Sequence, residues 1–288
     1  MSFAIARDYY ELSKPRIIVL LLVTTAAAMV MAARGLPPLG IAAWTLLGGA
    51  LAAASAGSLN CVYDADIDAL MARTRNRPIP AGRISPRLAT LFALACGTIS
   101  FAIFFWLVNP LAAWLSLAGN VYYVGIYTMW LKRITPLNIV IGGAAGAIPP
   151  LVGWAAVTHA IGGPALGLFA LIFLWTPPHF WSLSLVIETD YAKAKIPMLP
   201  NVSGKERTRR EIVYYAILLV GASLALYALH VMGALYLAGA VVLGGIFLLD
   251  AIRTWRDSST ASARVLFRYS LLYLALMCAV MVVDRIIA

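Results

Sequence analysis

The feature that most constrains this chain is a series of nine apolar runs that together occupy most of its length. A helix needs about 20 mostly apolar residues to cross a bilayer, and in lipid only helices and closed barrels satisfy every backbone polar group. The sequence therefore predicts an all-α, polytopic integral membrane protein with nine transmembrane helices around a central cavity. The expected spans are 17–33, 41–60, 87–108, 111–131, 138–157, 165–187, 211–229, 234–252 and 266–286.

The composition excludes other classes of protein. Hydrophobic residues make up 62% of the chain and charged residues 12%, whereas soluble domains average about 45–50% and about 25%. Disordered chains are poor in apolar residues, so disorder is excluded as well. The three cysteines, Cys61, Cys96 and Cys278, lie far apart in or beside apolar runs. We expect them to be small buried residues rather than a disulfide framework or a metal site.

The basic residues predict the orientation in the membrane. The net charge of +10 comes from residues in the loops between apolar runs, which indicates topology rather than nucleic-acid binding. With the N-terminus in the cytoplasm, all 22 lysines and arginines except Arg34 and Arg285 fall on the cytoplasmic side. This predicts a bacterial cytoplasmic (inner) membrane protein whose long loops face the cytoplasm and whose C-terminus is periplasmic.

Two long cytoplasmic loops, after the second and sixth runs, suggest how the chain is organised. They recur four helices apart in the same orientation, and both combine carboxylates with basic residues. Internal repeats are common in membrane folds. We therefore expect one domain over 1–288, with two four-helix halves at about 10–136 and 137–264 and a ninth helix after them.

The first long loop begins with a run of oxygen-bearing side chains. Asn60, Asp64 and Asp68 are spaced four apart and share one face of a helix, whereas Asp66 projects to the other side. Carboxylate and amide oxygens without thiol or imidazole suit Mg²⁺, which takes a few carboxylates together with phosphate oxygens. The alternative is a solvated helix end whose acids pair with Arg73 and Arg75.

Those arginines favour the metal site. Arg73, Arg75 and Arg77 occupy every second position of a proline-limited segment, and guanidinium groups match phosphate oxygens bidentately. Acids for a metal followed by arginines for phosphate predict a diphosphate site. The second long loop repeats the pattern, with Asp190 as a further metal ligand and Lys195, four residues after Tyr191, as a phosphate contact.

Several stretches together resemble one known family. The stretch Asn60–Pro78 (NCVYDADIDALMARTRNRP) resembles the aspartate-rich signature of the UbiA-type intramembrane prenyltransferases, in the variant of their heme-farnesylating branch. That superfamily usually carries a second acid four residues after the first in the later loop. Here Ala194 stands four residues after Asp190, a departure that the heme branch shares. The resemblance extends over nearly the whole chain, through Tyr127–Arg133 (YTMWLKR), Asn138–Pro150 (NIVIGGAAGAIPP), Trp175–Trp181 (WTPPHFW) and Asp190–Met198 (DYAKAKIPM).

The resemblance implies a transferase that moves the farnesyl group of farnesyl diphosphate to a vinyl group of heme b and adds water. Mg²⁺ is then the cofactor, heme b is a substrate rather than a cofactor, and membrane lipid surrounds the protein. A heme–copper oxidase under assembly or a heme A synthase is the implied protein partner. Asn60, Asp64 and Asp68 are the expected catalytic residues. The expected metal ligands are Asn60, Asp64, Asp68 and Asp190, and the expected diphosphate contacts are Arg73, Arg75, Lys132, Tyr191 and Lys195.

His179 is the expected heme-binding residue. It lies inside the sixth apolar run, directly after Pro177 and Pro178. An imidazole inside the bilayer is a candidate for function, and heme iron is often held by histidine. The alternative is a structural histidine that hydrogen-bonds a carbonyl group freed by the prolines.

Two other functions stay open at this stage. An aromatic prenyltransferase of quinone biosynthesis shares the first aspartate-rich motif. A secondary transporter also carries polar residues inside its bundle, but it does not need acids and arginines clustered on one membrane face. Analysis of the product, with heme b or a phenol as acceptor, separates these alternatives.

Overall fold

The computed structural model describes residues 2–257 and 259–287, with the side chains from residue 4 onward. The described residues form thirteen α-helices and two π-helical stretches, and they contain no β-strand. The helices are α1 Ser2–Leu12, α2 Pro15–Ala33, α3 Leu39–Tyr63, α4 Ala65–Leu70, α5 Pro86–Ile103, α6 Pro110–Val121, α7 Lys132–Ile134, α8 Asn138–Thr158, α9 Gly163–Val186, α10 Glu188–Lys193, α11 Leu199–Ala228, α12 Ala234–Arg256 and α13 Thr260–Ile287. The π-helical stretches are π1 Phe104–Val108, which continues α5, and π2 Tyr122–Leu131, which joins α6 to α7.

Among the described residues, eight helices are long and apolar enough to cross a membrane. The prediction of an all-α, polytopic membrane protein is confirmed. The fourth expected span, 111–131, coincides with α6 and π2 and is not one of the eight. Asn120 and three tyrosines in π2 make that stretch less apolar than the others. The count of nine therefore stays a prediction.

The long helices form a closed ring. Neighbours in the ring pack in the order α2, α3, α5, α6, α8, α9, α11, α12 and α13, and α13 returns to α2. Helix α2 also packs along α8, across the middle of the ring. The first expected half contributes the four consecutive ring helices α2, α3, α5 and α6, and the second contributes α8, α9, α11 and α12. The division into halves stays a prediction.

The helix bundle has two different ends. The site residues at the end of α3 lie at what we call the polar end, and the turn between α5 and α6 lies at the opposite end. At the opposite end Asn109 caps α6, because its side chain accepts a hydrogen bond from Ala112 N at 2.9 Å. Its Nδ2 donates to Ala155 O of α8 at 2.8 Å. Beside it lies a buried apolar group that we call the Phe104 cluster, formed by Phe104, Ala112, Ala113, Val152 and Ala156.

A carboxylate of α13 caps the first turn of α12. Asp284 is 3% exposed and accepts hydrogen bonds from Gly233 N at 2.6 Å and from Tyr236 N at 2.9 Å. A helix start leaves such N–H groups without intrahelical partners, so the side chain of one helix completes the hydrogen bonding of its neighbour.

We expect Asp284→Ala to lower the free energy of unfolding by about 1–3 kcal/mol, because the buried N–H of Tyr236 and the partly buried N–H of Gly233 lose their acceptor. Asp284→Asn keeps one carbonyl oxygen as an acceptor and is expected to lose less. Thermal unfolding of both variants in detergent measures the difference. An unchanged melting temperature for Asp284→Ala would show that the carboxylate does not hold α12 in place.

Candidate active site

The carboxylates at the end of α3 lie on one buried helical face. Backbone hydrogen bonds run from Asp64 N to Asn60 O at 2.9 Å and from Asp68 N to Asp64 O at 2.8 Å, so the helical path continues from α3 into α4. Asn60, Asp64 and Asp68 are 3%, 0% and 1% exposed. The side chain of Asp66, between them in sequence, is 62% exposed.

Each buried carboxylate has a basic partner from another element. Asp64 Oδ2 is paired with Lys132 Nζ, at the start of α7, and it also accepts a hydrogen bond from Asn60 Nδ2 at 2.8 Å. Asp68 Oδ2 is paired with Arg77 Nη1 at 2.6 Å. Uncompensated charges at these positions would be costly, so the two pairs hold α3, α7 and the α4–α5 segment together.

The second buried carboxylate oxygen of Asp64 lacks a hydrogen-bond donor. Asp64 Oδ1 is buried and has no hydrogen-bond partner in the part of the chain described, and Arg133 Nη2 lies 3.8 Å away. A carboxylate oxygen buried without a donor is expensive. It is therefore the atom in this cluster that is free to take a further cation or hydrogen-bond donor.

Asp66 has a different role. Arg133 donates to both of its carboxylate oxygens, at 2.8 and 2.7 Å, and also lies over the ring of Tyr63 at 4.7 Å. These hydrogen bonds hold the pKa of Asp66 below its ordinary value. Asp66 thus joins the end of α3 to α7 on the outside of the buried acids.

Lys14 is a site residue that the sequence analysis used only as a topological charge. It lies between α1 and α2 in the left-handed region (φ 59°), directly before Pro15, where the ordinary helical region is disfavoured. Its ammonium group donates to Asn60 Oδ1, and burial lowers its pKa. The only signal in the sequence was a lysine beside a proline at the start of the first span.

Arg77 was quoted in the sequence motif but not selected as a site residue. Burial lowers the pKa of Arg77, but the attraction of Asp68, its hydrogen bond and the attraction of other nearby groups such as Asp64 together outweigh burial, so this pKa is raised overall. The neighbouring Arg75 is exposed, and its side chain makes no ion pair or hydrogen bond with the other described residues. The alternation of three arginines could not indicate which of them pairs with a buried acid.

The two long loops meet through Arg73 and Tyr191. Arg73 Nη2 donates to Tyr191 Oη at 2.9 Å, and its guanidinium lies 5.2 Å from the centre of that ring. Tyr191 is 2% exposed, and burial raises its pKa. The predicted diphosphate contacts Arg73, Lys132 and Tyr191 therefore lie at one end of the bundle and are held by other site residues.

Two other expected site residues, Lys195 and Asp190, are not held by side-chain contacts of this kind. Lys195 is exposed and has a left-handed backbone (φ 53°). The side chains of Lys195 and Asp190 make no hydrogen bond or ion pair with other described residues. Those described residues also contain no group of three or more His, Cys, Asp and Glu side chains arranged for a metal. Asp190 thus does not join Asp64 and Asp68 in such a group, and its metal role stays a prediction.

An apolar cavity of about 350 Å³ opens beside this charged cluster. Lys14, Tyr123 and Tyr127 line it at the polar end, and α2, α3, α6, α8 and α9 supply its walls. Many wall residues are glycines and alanines, which is why the helices leave space between them. The arrangement suits an amphipathic ligand with an anionic head at the charged cluster and an apolar chain in the cavity.

His179 lies beside this cavity but does not line it. Its Nδ1 is 2.6 Å from Ser270 Oγ of α13, and its ring stacks on Trp175 at 4.2 Å and on Phe267 at 4.9 Å between ring centres. Trp175, one turn earlier, does line the cavity. The contacts of His179 are those of a side chain packed between α9 and α13, and the heme role stays a prediction.

Comparison with known proteins adds a family and a fold. Residues 21–276 match the UbiA prenyltransferase family. A protoheme IX farnesyltransferase of Synechocystis sp. is 54% identical over 98% of this chain and 90% of its own length. A digeranylgeranylglyceryl phosphate synthase structure superposes with a TM-score of 0.82 at 16% identity, over 99% of this chain and 100% of that one. A UbiA homologue from Archaeoglobus fulgidus, bound to GPP and Mg²⁺, superposes with a TM-score of 0.64 at 18% identity, over 95% and 99%.

We expect Arg77→Met to destabilise the ligand-free protein by about 3 kcal/mol, because it leaves the buried Asp68 carboxylate without its partner. Arg75→Met is the matched control, two residues away in the same segment, and is expected to change stability by less than about 0.5 kcal/mol. Thermal unfolding in detergent measures both. Equal melting temperatures for the two variants would contradict the assignment of the buried ion pair.

Proposed function

The chain belongs to the UbiA prenyltransferase family, and from this premise we propose that it is a protoheme IX farnesyltransferase. It transfers the farnesyl group of farnesyl diphosphate to a vinyl group of heme b and adds water, which gives heme o and diphosphate. The observation that carries the proposal is the 54% identity, over 98% of the chain, to a protein of that name.

The shape and polarity of the site support this reaction. Farnesyl diphosphate has an apolar chain and a dianionic or trianionic head, and the cavity places apolar walls next to a cluster of basic residues. We assign diphosphate binding to Arg73, Arg75, Lys132, Lys195 and the hydroxyl group of Tyr191. Lys14 and Arg77 add two further cations at the same end.

The residues present fit a bound Mg²⁺. Asp64 Oδ1 is a buried carboxylate oxygen without a hydrogen-bond donor, and the side chains of Asn60, Asp64 and Asp68 offer only oxygen ligands, which Mg²⁺ prefers. We propose that these three residues hold the ion and that Asp190 contributes from the second loop. When bound, the ion neutralises charge that develops on the departing diphosphate.

The basic residues change partners in this proposal. In the ligand-free protein Lys132 and Arg77 neutralise Asp64 and Asp68. If the carboxylates held an ion, Lys132 and Arg77 would be released from them and could contact the phosphate oxygens. Cations close to a departing anionic group stabilise the charge that develops on it.

The apolar walls protect the reactive intermediate. As the carbon–oxygen bond breaks, its electron pair leaves with diphosphate and an allylic cation remains. Aromatic rings stabilise cations, and Tyr123, Tyr127 and Phe180 present such rings to the cavity. The vinyl group of heme b then forms the new carbon–carbon bond, and water adds to the resulting cation and loses one proton to solvent.

We propose that this integral membrane protein lies in the bacterial inner membrane with its polar end in the cytoplasm and its C-terminus in the periplasm. The supporting observation is the distribution of basic residues, of which only Arg34 and Arg285 lie in outer segments. A heme–copper oxidase under assembly or a heme A synthase is the partner that would take the product. One domain with two four-helix halves remains our proposal for the organisation of the chain.

The proposed reaction is tested by incubating purified protein with heme b, farnesyl diphosphate and Mg²⁺. Mass spectrometry should show a porphyrin heavier by one farnesyl group and one hydroxyl group. A phenolic quinone precursor serves as the competing acceptor. Modification of the phenol but not of heme b would replace the proposal with quinone prenylation, and absence of diphosphate release with every acceptor would favour a transporter.

We expect Asp64→Ala and Asp68→Ala each to abolish turnover while the protein stays inserted and folded, because both carboxylates hold the ion. Asp66→Ala is the matched control, since its side chain lies on the exposed face, and it is expected to retain activity. Product formation is the measurement, with thermal unfolding alongside. Equal loss of activity in all three variants would contradict the assignment of the metal to the buried face.

If His179 contacts the porphyrin, His179→Ala weakens heme binding and leaves the binding of farnesyl diphosphate unchanged. Ser270→Ala is the control, because it removes the partner of Nδ1 and keeps the imidazole. Titration of each ligand, with a melting curve, measures the effects. A parallel loss of both affinities and of stability would assign His179 a structural role between α9 and α13.

A further inference from the structure

The cavity ends at a floor that belongs to the Phe104 cluster. Phe104 and Val152 are members of that cluster and also line the cavity, and Ile148, which packs against the cluster, lines it beside them. Phe104 is fully buried and is the only aromatic side chain among these three. The floor therefore presents a flat ring and two branched side chains to whatever occupies the cavity.

The ring of Phe104 is held firmly in this position. A Cβ added to Gly48 of α3 would lie 2.9 Å from the ring, so the ring packs directly against the helix backbone. Ser100 Oγ donates to Gly48 O at 2.7 Å and fixes α5 against α3 at the same level. Movement of the ring toward α3 is therefore blocked by the helix backbone at Gly48.

The distance from the polar end to the floor matches one prenyl chain. Helix α8 lines the cavity from Ile139 to Val152, which is about 20 Å at about 1.5 Å per residue. Its first turn, up to Gly142, lies against Tyr127 at the polar end, and about 15 Å remains for an apolar chain. An extended farnesyl chain measures roughly 14 Å, with carbon–carbon bonds of about 1.5 Å, and a fourth isoprene unit adds about 5 Å.

We propose that Phe104, with Val152 beside it, sets the upper length of the prenyl donor at three isoprene units. The inference rests on the proposed function, because it concerns the donor of the same reaction. A longer chain meets the fixed ring before its diphosphate reaches the cations at the polar end. A shorter chain reaches the cations but leaves the space next to the floor unfilled.

Gly146 offers the opposite change within the same cavity. It lines the wall one turn beyond Gly142, and a Cβ added there meets no atom within 4 Å. A leucine at this position has free space at its Cβ and adds its side chain to the cavity wall. Gly146→Leu thus shortens the space for the chain, whereas Phe104→Ala lengthens it.

The test offers the purified protein an equimolar mixture of geranyl, farnesyl and geranylgeranyl diphosphates, together with heme b and Mg²⁺. The wild type is expected to transfer mainly farnesyl. Phe104→Ala should raise the ratio of geranylgeranyl to farnesyl product by about tenfold or more, and Gly146→Leu should raise the ratio of geranyl to farnesyl by a similar factor. Mass spectrometry of the porphyrins gives both ratios.

Two matched controls distinguish cavity length from general packing. Phe101→Ala removes a ring one turn earlier in α5 that packs on the Phe104 cluster without lining this cavity. Gly221→Leu adds a side chain to an exposed position of α11 where a Cβ meets no atom. Both controls should keep the product ratios of the wild type.

The stabilisation of each variant by each diphosphate is measured in parallel, without heme. If no donor is transferred to heme b, the proposed function fails, and the shifts in melting temperature still report which chain length is bound. If Phe104→Ala does not fold, Phe104→Leu takes its place. Unchanged length preference in folded variants of both Phe104 and Gly146 would overturn the inference.

Discussion

The polar end of the bundle depends on the compensation of two buried carboxylates. Asp64 and Asp68 are almost completely inaccessible, and charges in such positions need a partner of opposite sign. Lys132 and Arg77 provide it, and each comes from a different part of the chain. The same two contacts therefore fix the end of α3 relative to α7 and order the segment between α4 and α5. Arg73 and Tyr191 extend this network to the second long loop.

The cavity depends on the opposite property, the absence of large side chains where α2, α3, α6, α8 and α9 converge. Glycine and alanine side chains are too small to fill the space between these helices. The Phe104 cluster closes that space at the far end. A charged entrance and an apolar interior together match a ligand that is anionic at one end and apolar along its length. In the proposed reaction this geometry also keeps water from the allylic cation until the vinyl group has reacted.

Much of this arrangement was accessible from the sequence, because it depends on local patterns. The length and apolarity of the runs predicted a membrane protein made of helices, and the spacing of four placed Asn60, Asp64 and Asp68 on one face with Asp66 apart from them. Other features were not accessible. The sequence assigned Arg73 and Arg75 to diphosphate, with pairing to the acids only as an alternative interpretation, whereas the structure pairs Asp68 with Arg77. It gave no site role to Lys14, and it placed His179 at the heme without indicating its contact with Ser270.

The sequence by itself determined the fold class, the family and several of the charged residues at the polar end, since hydropathy, residue spacing and motif resemblance are properties of the chain. Only the tertiary structure decided which base neutralises which acid and where the cavity stops. Asp64 and Lys132 are 68 residues apart, and Arg73 and Tyr191 are 118 apart. Contacts at such separations depend on how whole helices pack, and the floor at Phe104 exists only because α3, α5 and α8 meet there.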